Sequence, residues 1–294
     1  MSLCRENFSK RCLFRPLSYD IPMKAGGAML STLLRFQTNE AETGALAPII
    51  VDRALESDLD LAAAVQRQML PRNTKQLAGV RYAAASSAAS RLGGDYYDFL
   101  DLGPHSLGIV LADVSGKGVA AALLAASLQA SIRAECALGP IDPDAMLARV
   151  NAHFYRSTLA EQYATLFFAR YDEQTRRLDY INAGQQPVMI LRADLSVKRL
   201  ESTALPLGMV SHWSGEMKSV ILEPGDRLFL ASDGVIEAGL ENGCEFGEEG
   251  FISVAASSAD RTIECAVSRL AQAAHAYVPN GQTDDMTIVA VDVL

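Results

Sequence analysis

Four short acidic segments constrain this chain more than any other feature. They are Gly93-Gly94-Asp95-Tyr96-Tyr97-Asp98, Asp113-Val114-Ser115-Gly116-Lys117-Gly118, Ser232-Asp233-Gly234 and Thr283-Asp284-Asp285-Met286-Thr287. Each sets an aspartate at the edge of an apolar, strand-like run, beside glycine or another turn residue. A carboxylate at the end of a buried strand is costly unless it is paired or binds a metal. Taken singly, such an aspartate is more often a turn former or a helix cap. Four of them, all at strand edges and with no Cys or His close by, favour one shared site for hard cations. Oxygen ligands of that kind select Mg²⁺ or Mn²⁺ over zinc.

The periodicity predicts the elements between these segments. A helix is expected over 53–70, with Leu55, Leu59, Ala62, Val65 and Met69 spaced by three and four and Pro71 as its stop. Strands follow at 80–85, 96–100 and 107–112, then helices over 118–137 and 142–158. The second of these opens on Asp142 as N-cap with Pro143 at the first helical position. Further strands are expected at 164–171, 177–182, 188–192, 217–222 and 227–231, with a tight turn at Pro224-Gly225-Asp226. Two helices near 248–257 and 261–277 and a last strand over 286–293 complete the chain. Strands, a helix pair, strands, a helix pair and a strand imply α+β layers, with sheets covered by helices. Residues 1–52 lack sustained periodicity and carry Pro16, Pro22, Gly26, Gly27, Gly44 and Pro48, so they are expected to be an irregular extension. Met23 or Met29 is an alternative start. The domain reading is therefore 1–52 extension, 53–71 linker or regulatory helix, and 72–294 main domain.

The bulk numbers exclude several classes. Thirty-five acids against 26 bases give a formal charge of −9, which disfavours a nucleic-acid partner. No run reaches the roughly 18 apolar residues of a membrane span, and no apolar segment follows the basic N-terminus as a signal peptide needs. Cys4, Cys12, Cys136, Cys244 and Cys265 form no C-x-x-C pair, consistent with free thiols in a cytoplasmic protein. His105, His153, His212 and His275 have no zinc spacing. The segment around Lys117 lacks the upstream Gly and the following Ser or Thr of a phosphate loop. Ser115 and Ser232 lack a G-x-S-x-G setting.

Charge balance adds a number. Four carboxylates match two divalent ions, and without cations they would repel one another strongly. Two ions bridged by one water would lower its pKa and supply a hydroxide for in-line attack at phosphorus. Period-2 alternation puts Asp95 and Asp98 on opposite faces of their strand, so they are expected to differ in role.

The four segments, in this order and spacing, resemble the metal-dependent type-2C serine/threonine phosphatases (PPM family), in their bacterial SpoIIE/RsbU branch. Tyr163-Ala164-Thr165-Leu166-Phe167-Phe168, Asn182-Ala183-Gly184, Leu205-Pro206-Leu207-Gly208 and Pro224-Gly225-Asp226 fit the same pattern, as does Gln66-Arg67-Gln68-Met69-Leu70-Pro71 ahead of the domain. The resemblance covers about residues 55–294. It implies a four-layer α-β-β-α sandwich of two antiparallel sheets flanked by helices, and a centre of two Mn²⁺ or Mg²⁺ ions. By motif position Asp113 would bridge both ions, Asp95 and the carbonyl of Val114 would complete one site, and Asp233 and Asp284 the other. Asp285 would support them, and Lys117 would approach the phosphoprotein. The implied substrate is a phosphoserine or phosphothreonine on a STAS-domain antagonist of an anti-sigma factor, in a partner-switching pathway. The 53–71 helix would mediate a homodimer or relay a signal.

Three departures stand out. Gln185 follows Asn-Ala-Gly where the family often has His, and Ser232-Asp233-Gly234-Val235-Ile236-Glu237 replaces the common T-D-G-V-T-E. The roughly 50 residues upstream are too few for a PAS, GAF or receiver domain, so the expected input is a separate protein acting on the helix. The alternative function is a partner-switching binding module without turnover.

Overall fold

The computed structural model describes residues 53–71, 77–139 and 142–294. The expected extension over 1–52 lies outside the described residues. Ten strands form two five-stranded sheets, every strand pair antiparallel. In chain order the strands are β1 (Val80–Ser87), β2 (Asp95–Asp101), β3 (Ser106–Val114), β4 (Ala164–Asp172), β5 (Arg177–Ala183), β6 (Val188–Leu191), β7 (Val197–Arg199), β8 (Lys218–Ile221), β9 (Arg227–Ala231) and β10 (Met286–Val293). One sheet runs β1-β10-β9-β6-β7 and the other β2-β3-β4-β5-β8. The helices are α1 (Arg53–Met69), α2 (Gly118–Cys136), α3 (Pro143–Ser157), α4 (Asp233–Ile236), α5 (Gly247–Ala256) and α6 (Ile263–His275).

Alternation builds the layers. Along β3, Leu107, Ile109 and Leu111 point between the sheets, where they meet Phe167 and Ala169 of β4, Leu228 and Leu230 of β9, and Val289 and Val291 of β10. The residues of opposite phase, Val110, Ala112 and Val114, face outward onto Leu124, Leu128 and Ile132 of α2 and Met146, Leu147 and Val150 of α3. On the other sheet, Phe229, Ile288 and Ala290 face Phe251 of α5 and Val267 and Leu270 of α6. Both faces of each sheet are thus buried, which is why β3 reads as an unbroken apolar run. The result is the expected α-β-β-α sandwich. Among the described residues α2 is the one helix long and apolar enough by composition to cross a membrane; here its Leu128 and Ile132 are buried on a sheet.

Several local expectations need correction. The three-residue strand β7 and the one-turn helix α4 were not foreseen, because neither is long enough to show a period. Asp142 stands at the N-cap of α3 with Pro143 in the first turn, but its side chain makes no capping bond. The α1 stripe is also rotated from the expected one. Ala63 is buried and Leu59, Gln66 and Leu70 are half-buried, whereas Leu55, Leu61 and Val65 stay exposed. The helix docks through its mixed face and leaves much of its apolar face in water.

Candidate metal centre

The space between the sheets changes character at one end. Following each inward-pointing series outward, Leu111 gives way to Asp113, Phe167 to Thr165, Leu230 to Ser232 and Val289 to Thr287, all by steps of two. Alternation carries each strand from core to site without a change of phase. Asp95 stands directly opposite Asp113 across the β2–β3 pair, so the two carboxylates share a face. Asp233 opens α4 immediately after β9, and Asp284 precedes β10. Those ends are tied by hydrogen bonds from Ser232 N–H to the Thr287 carbonyl and from Thr287 N–H to Ser232 Oγ, both 2.9 Å.

Asp285 bolts the two sheets together here. Its Oδ1 accepts from Ala89 N–H at 2.7 Å and its Oδ2 from Gly94 N–H at 2.6 Å. Gly94 is required by close approach: a Cβ there would stand 2.9 Å from the Val114 carbonyl oxygen. Asp285 thus anchors the backbone of the Gly93–Asp95 turn. Asp98, on the opposite face from Asp95, accepts from Tyr96 Oη at 2.9 Å and Arg133 Nε at 2.6 Å. It is an ion-pair residue and not a site carboxylate.

Electrostatics set the four aspartates apart. Neither oxygen of Asp95 has a hydrogen-bond partner, although both are buried. Burial, then the charge of Asp113, hold its carboxyl well above the usual carboxylate range. The hydroxyls of Thr287 and Ser232 act in the other direction, but they are already committed, Thr287 to Ser86 and Ser232 to the Asp285 carbonyl. Burial first, and then Asp233 and Asp284, push Asp113 up to about 7. Burial, then Asp284, raise Asp233 as well. Lys117 pairs with Asp284, its Nζ 2.9 Å from Oδ2.

The structure thus brings Asp95, Asp113, Asp233 and Asp284 into one electrostatic neighbourhood, with the Val114 carbonyl beside the Gly94 turn. Among the described residues, no three acids, cysteines or histidines yet close on a single point as metal ligands would. Lys117 holds Asp284, and Asp95 lines a polar cavity of about 430 Å³ that α1 roofs through Ala63 and Gln66, with Leu70 just beyond the helix. A buried carboxylate without a partner, facing other carboxylates, fits a site for divalent cations. The donor set is all oxygen, which suits Mg²⁺ or Mn²⁺.

Three features of the site were not legible in the sequence. One is the Lys117–Asp284 contact. Another is a two-bond clamp from α1: Gln66 Nε2 donates to the Gly93 carbonyl at 2.7 Å, and Gly93 N–H donates to Gln66 Oε1 at 3.1 Å. The third is Gln185, which is buried and bonds Thr165 Oγ1 and the Ala231 carbonyl, so it braces the two sheets.

Residues 103–294 match the family described as Stage II sporulation protein E (SpoIIE). The chain belongs to the SpoIIE family. The match covers the last two thirds of the chain. Phosphoserine phosphatase RsbU of Bacillus subtilis (strain 168) is 30% identical over 194 residues, covering 66% of this chain and 57% of that protein. The chain therefore spans little more than half the length of this relative. Among solved structures, the SiaA-PP2C domain of Pseudomonas aeruginosa superposes with a TM-score of 0.71 at 24% identity, over 82% of this chain and 97% of that one. The catalytic domain of the serine/threonine phosphatase PstP, in complex with two manganese ions, gives a TM-score of 0.56 at 18% identity, over 74% and 99%. These likenesses establish the PPM fold.

Proposed function

We propose that this SpoIIE-family chain is a metal-dependent phosphatase acting on phosphoserine or phosphothreonine of a partner protein. The observation that carries the reading is the buried, unpartnered Asp95 set directly opposite Asp113, with Asp233 and Asp284 at the same rim. Asp113, Asp233 and Asp284 would hold one divalent ion, and Asp95, Asp113 and the Val114 carbonyl a second. When bound, two such ions supply a hydroxide nucleophile at neutral pH and neutralise phosphoryl charge. The chain's own part is preorganisation. β2 and β3 fix Asp95 and Asp113 in register, Asp285 fixes the Gly93–Asp95 turn, and Ser232 and Thr287 lock β9 to β10. An intact set of four carboxylates weighs against the non-catalytic binding module.

The substrate class follows from the resemblance in sequence: a small phosphorylated STAS-domain antagonist of an anti-sigma factor in a partner-switching pathway. The net charge of −9 supports a protein over a nucleic-acid partner. Cys136, Cys244 and Cys265 are unpaired, which fits the cytoplasm. Residues 72–294 form the catalytic unit in this reading, and 53–71 the regulatory helix. The exposure of Leu61 (65%) and Val65 (53%) supports a homodimer through that helix.

The test is turnover of a phosphorylated STAS protein with Mn²⁺. Asp113→Asn and Asp233→Asn should each lower the rate by about 100-fold or more without unfolding the chain. EDTA should abolish the activity and zinc should restore it poorly. An Asp233→Asn variant that keeps the full rate at saturating Mn²⁺ refutes this ligand set.

A further inference from the structure

Lys117 makes a contact that the metal-cage reading leaves unexplained. Its Nζ lies 2.9 Å from Asp284 Oδ2 and donates to the Thr283 carbonyl at 2.6 Å. The other oxygen of Asp284 accepts the Asp285 N–H at 2.9 Å. Both oxygens of this carboxylate are therefore engaged.

The contact comes from a fixed loop. Ser115 N–H donates to the Tyr163 carbonyl and Tyr163 N–H donates to Ser115 Oγ, both at 2.9 Å. Gly116 and Gly118, at φ +95° and +72°, adopt left-handed turns on either side of the lysine. The Lys117 side chain is nevertheless 57% exposed, so its ammonium can move into water without dragging the backbone. A divalent ion on Asp284 would sit at about 2.0–2.6 Å from the carboxylate oxygen. An ammonium on the same oxygen would then stand within a few ångströms of it, where two cations repel strongly. The two occupants compete for that oxygen.

We propose that Lys117 is a built-in counter-ion of the carboxylate cage: it holds Asp284 while no metal is present and must release it before a divalent cation can bind there, so that it sets metal affinity. This rests on the metal-cage reading. Lys117 is a positioning residue here, acting on a ligand and not on the substrate. A lysine that merely preorganised Asp284 would have the opposite effect, because its loss would weaken metal binding.

The experiment is direct Mn²⁺ titration of the full chain, reading free Mn²⁺ by electron paramagnetic resonance, for the wild type, Lys117→Met and Lys117→Gln. Both variants should tighten the site that includes Asp284 by about three- to tenfold, tenfold being about 1.4 kcal/mol. Unchanged or weaker binding in the variants, with normal uptake by the wild type, overturns the role of Lys117 alone. Absence of Mn²⁺ uptake by the wild type overturns the metal reading and this inference with it. Should the variants fail to fold, ¹⁵N-lysine spectra of the wild type decide. The Lys117 ammonium resonance should shift or broaden when Mg²⁺ binds, and an unchanged resonance with Mg²⁺ bound overturns the proposal.

Discussion

The body of the inter-sheet layer and its polar end are built from the same strands in the same phase, yet they are stabilised in opposite ways. In the body, Leu111, Phe167, Leu230 and Val289 bury one another and need nothing from outside. Two residues further on, Asp113 and Ser232 stand in their place, and Asp95 is buried without a partner. The body gains from burial, whereas the carboxylates at the end are penalised by it unless they are paired. Apolar core and candidate site are thus divided along the length of single strands.

The largest expected effect breaks the body. Phe167→Ala should cost about 3–5 kcal/mol in urea unfolding, because the ring is fully buried between the sheets. Saturating Mn²⁺ should not restore the difference between variant and wild type. A loss below about 1 kcal/mol would mean that the layer is looser than its burial implies.

Asp98 sharpens the contrast from within the same strand as Asp95. It is buried and fully paired, so Asp98→Ala should lower stability by about 2 kcal/mol by stranding Arg133 and Tyr96. Metal uptake should stay intact, and a large loss of Mn²⁺ affinity in this variant would blur the division between the two faces of β2.

Asp113 should behave in the reverse sense. Its folded-state pKa is raised from 3.8 to about 7. Over that window the folded chain keeps a proton that the unfolded chain has already released. The metal-free protein should therefore be steadier at low pH and lose stability as pH rises from about 4 through 7. Thermal melting with EDTA at pH 6 and pH 8 checks the sign. Asp113→Asn should reduce the slope, leaving the part due to Asp95 and Asp233, and stabilise the metal-free chain at pH 8 by about 1–2 kcal/mol, while turnover is lost. Destabilisation by this variant at pH 8 would show that the carboxylate is satisfied without metal.

The smallest effect concerns the exposed stripe of α1. Leu61→Asp or Val65→Asp should change the stability of the monomer by less than about 0.5 kcal/mol and should shift the mass in solution towards monomer. An unchanged mass by light scattering would leave the stripe without a partner.

Much of this was legible in the sequence, for identifiable reasons. The layers followed from strong periodicity: β3 is an unbroken apolar run because helices cover its outer face, and α3 shows the stripe of Met146, Leu147 and Val150 that faces the sheet. The candidate site was expected because each aspartate stands at the edge of such a run, Asp113 and Asp233 at its end and Asp95 and Asp284 at its start. What stayed hidden depends on distance and rotation. The apolar residues of α1 predicted a face, but docking is decided by Ala63 and the Gln66–Gly93 clamp, which no spacing reveals. Gln185 read only as a departure from the family's His, whereas it braces the sheets from within. Lys117 lies 167 positions from Asp284 in sequence, and only the fold brings them together.

The account turns on whether the polar end takes up cations. Calorimetric titration of the full chain with Mn²⁺ measures this most directly. Two ions per wild-type chain are expected, with at least one lost in Asp113→Asn, the residue assigned to both sites. No uptake by the wild type, or equal uptake by Asp113→Asn, would contradict it.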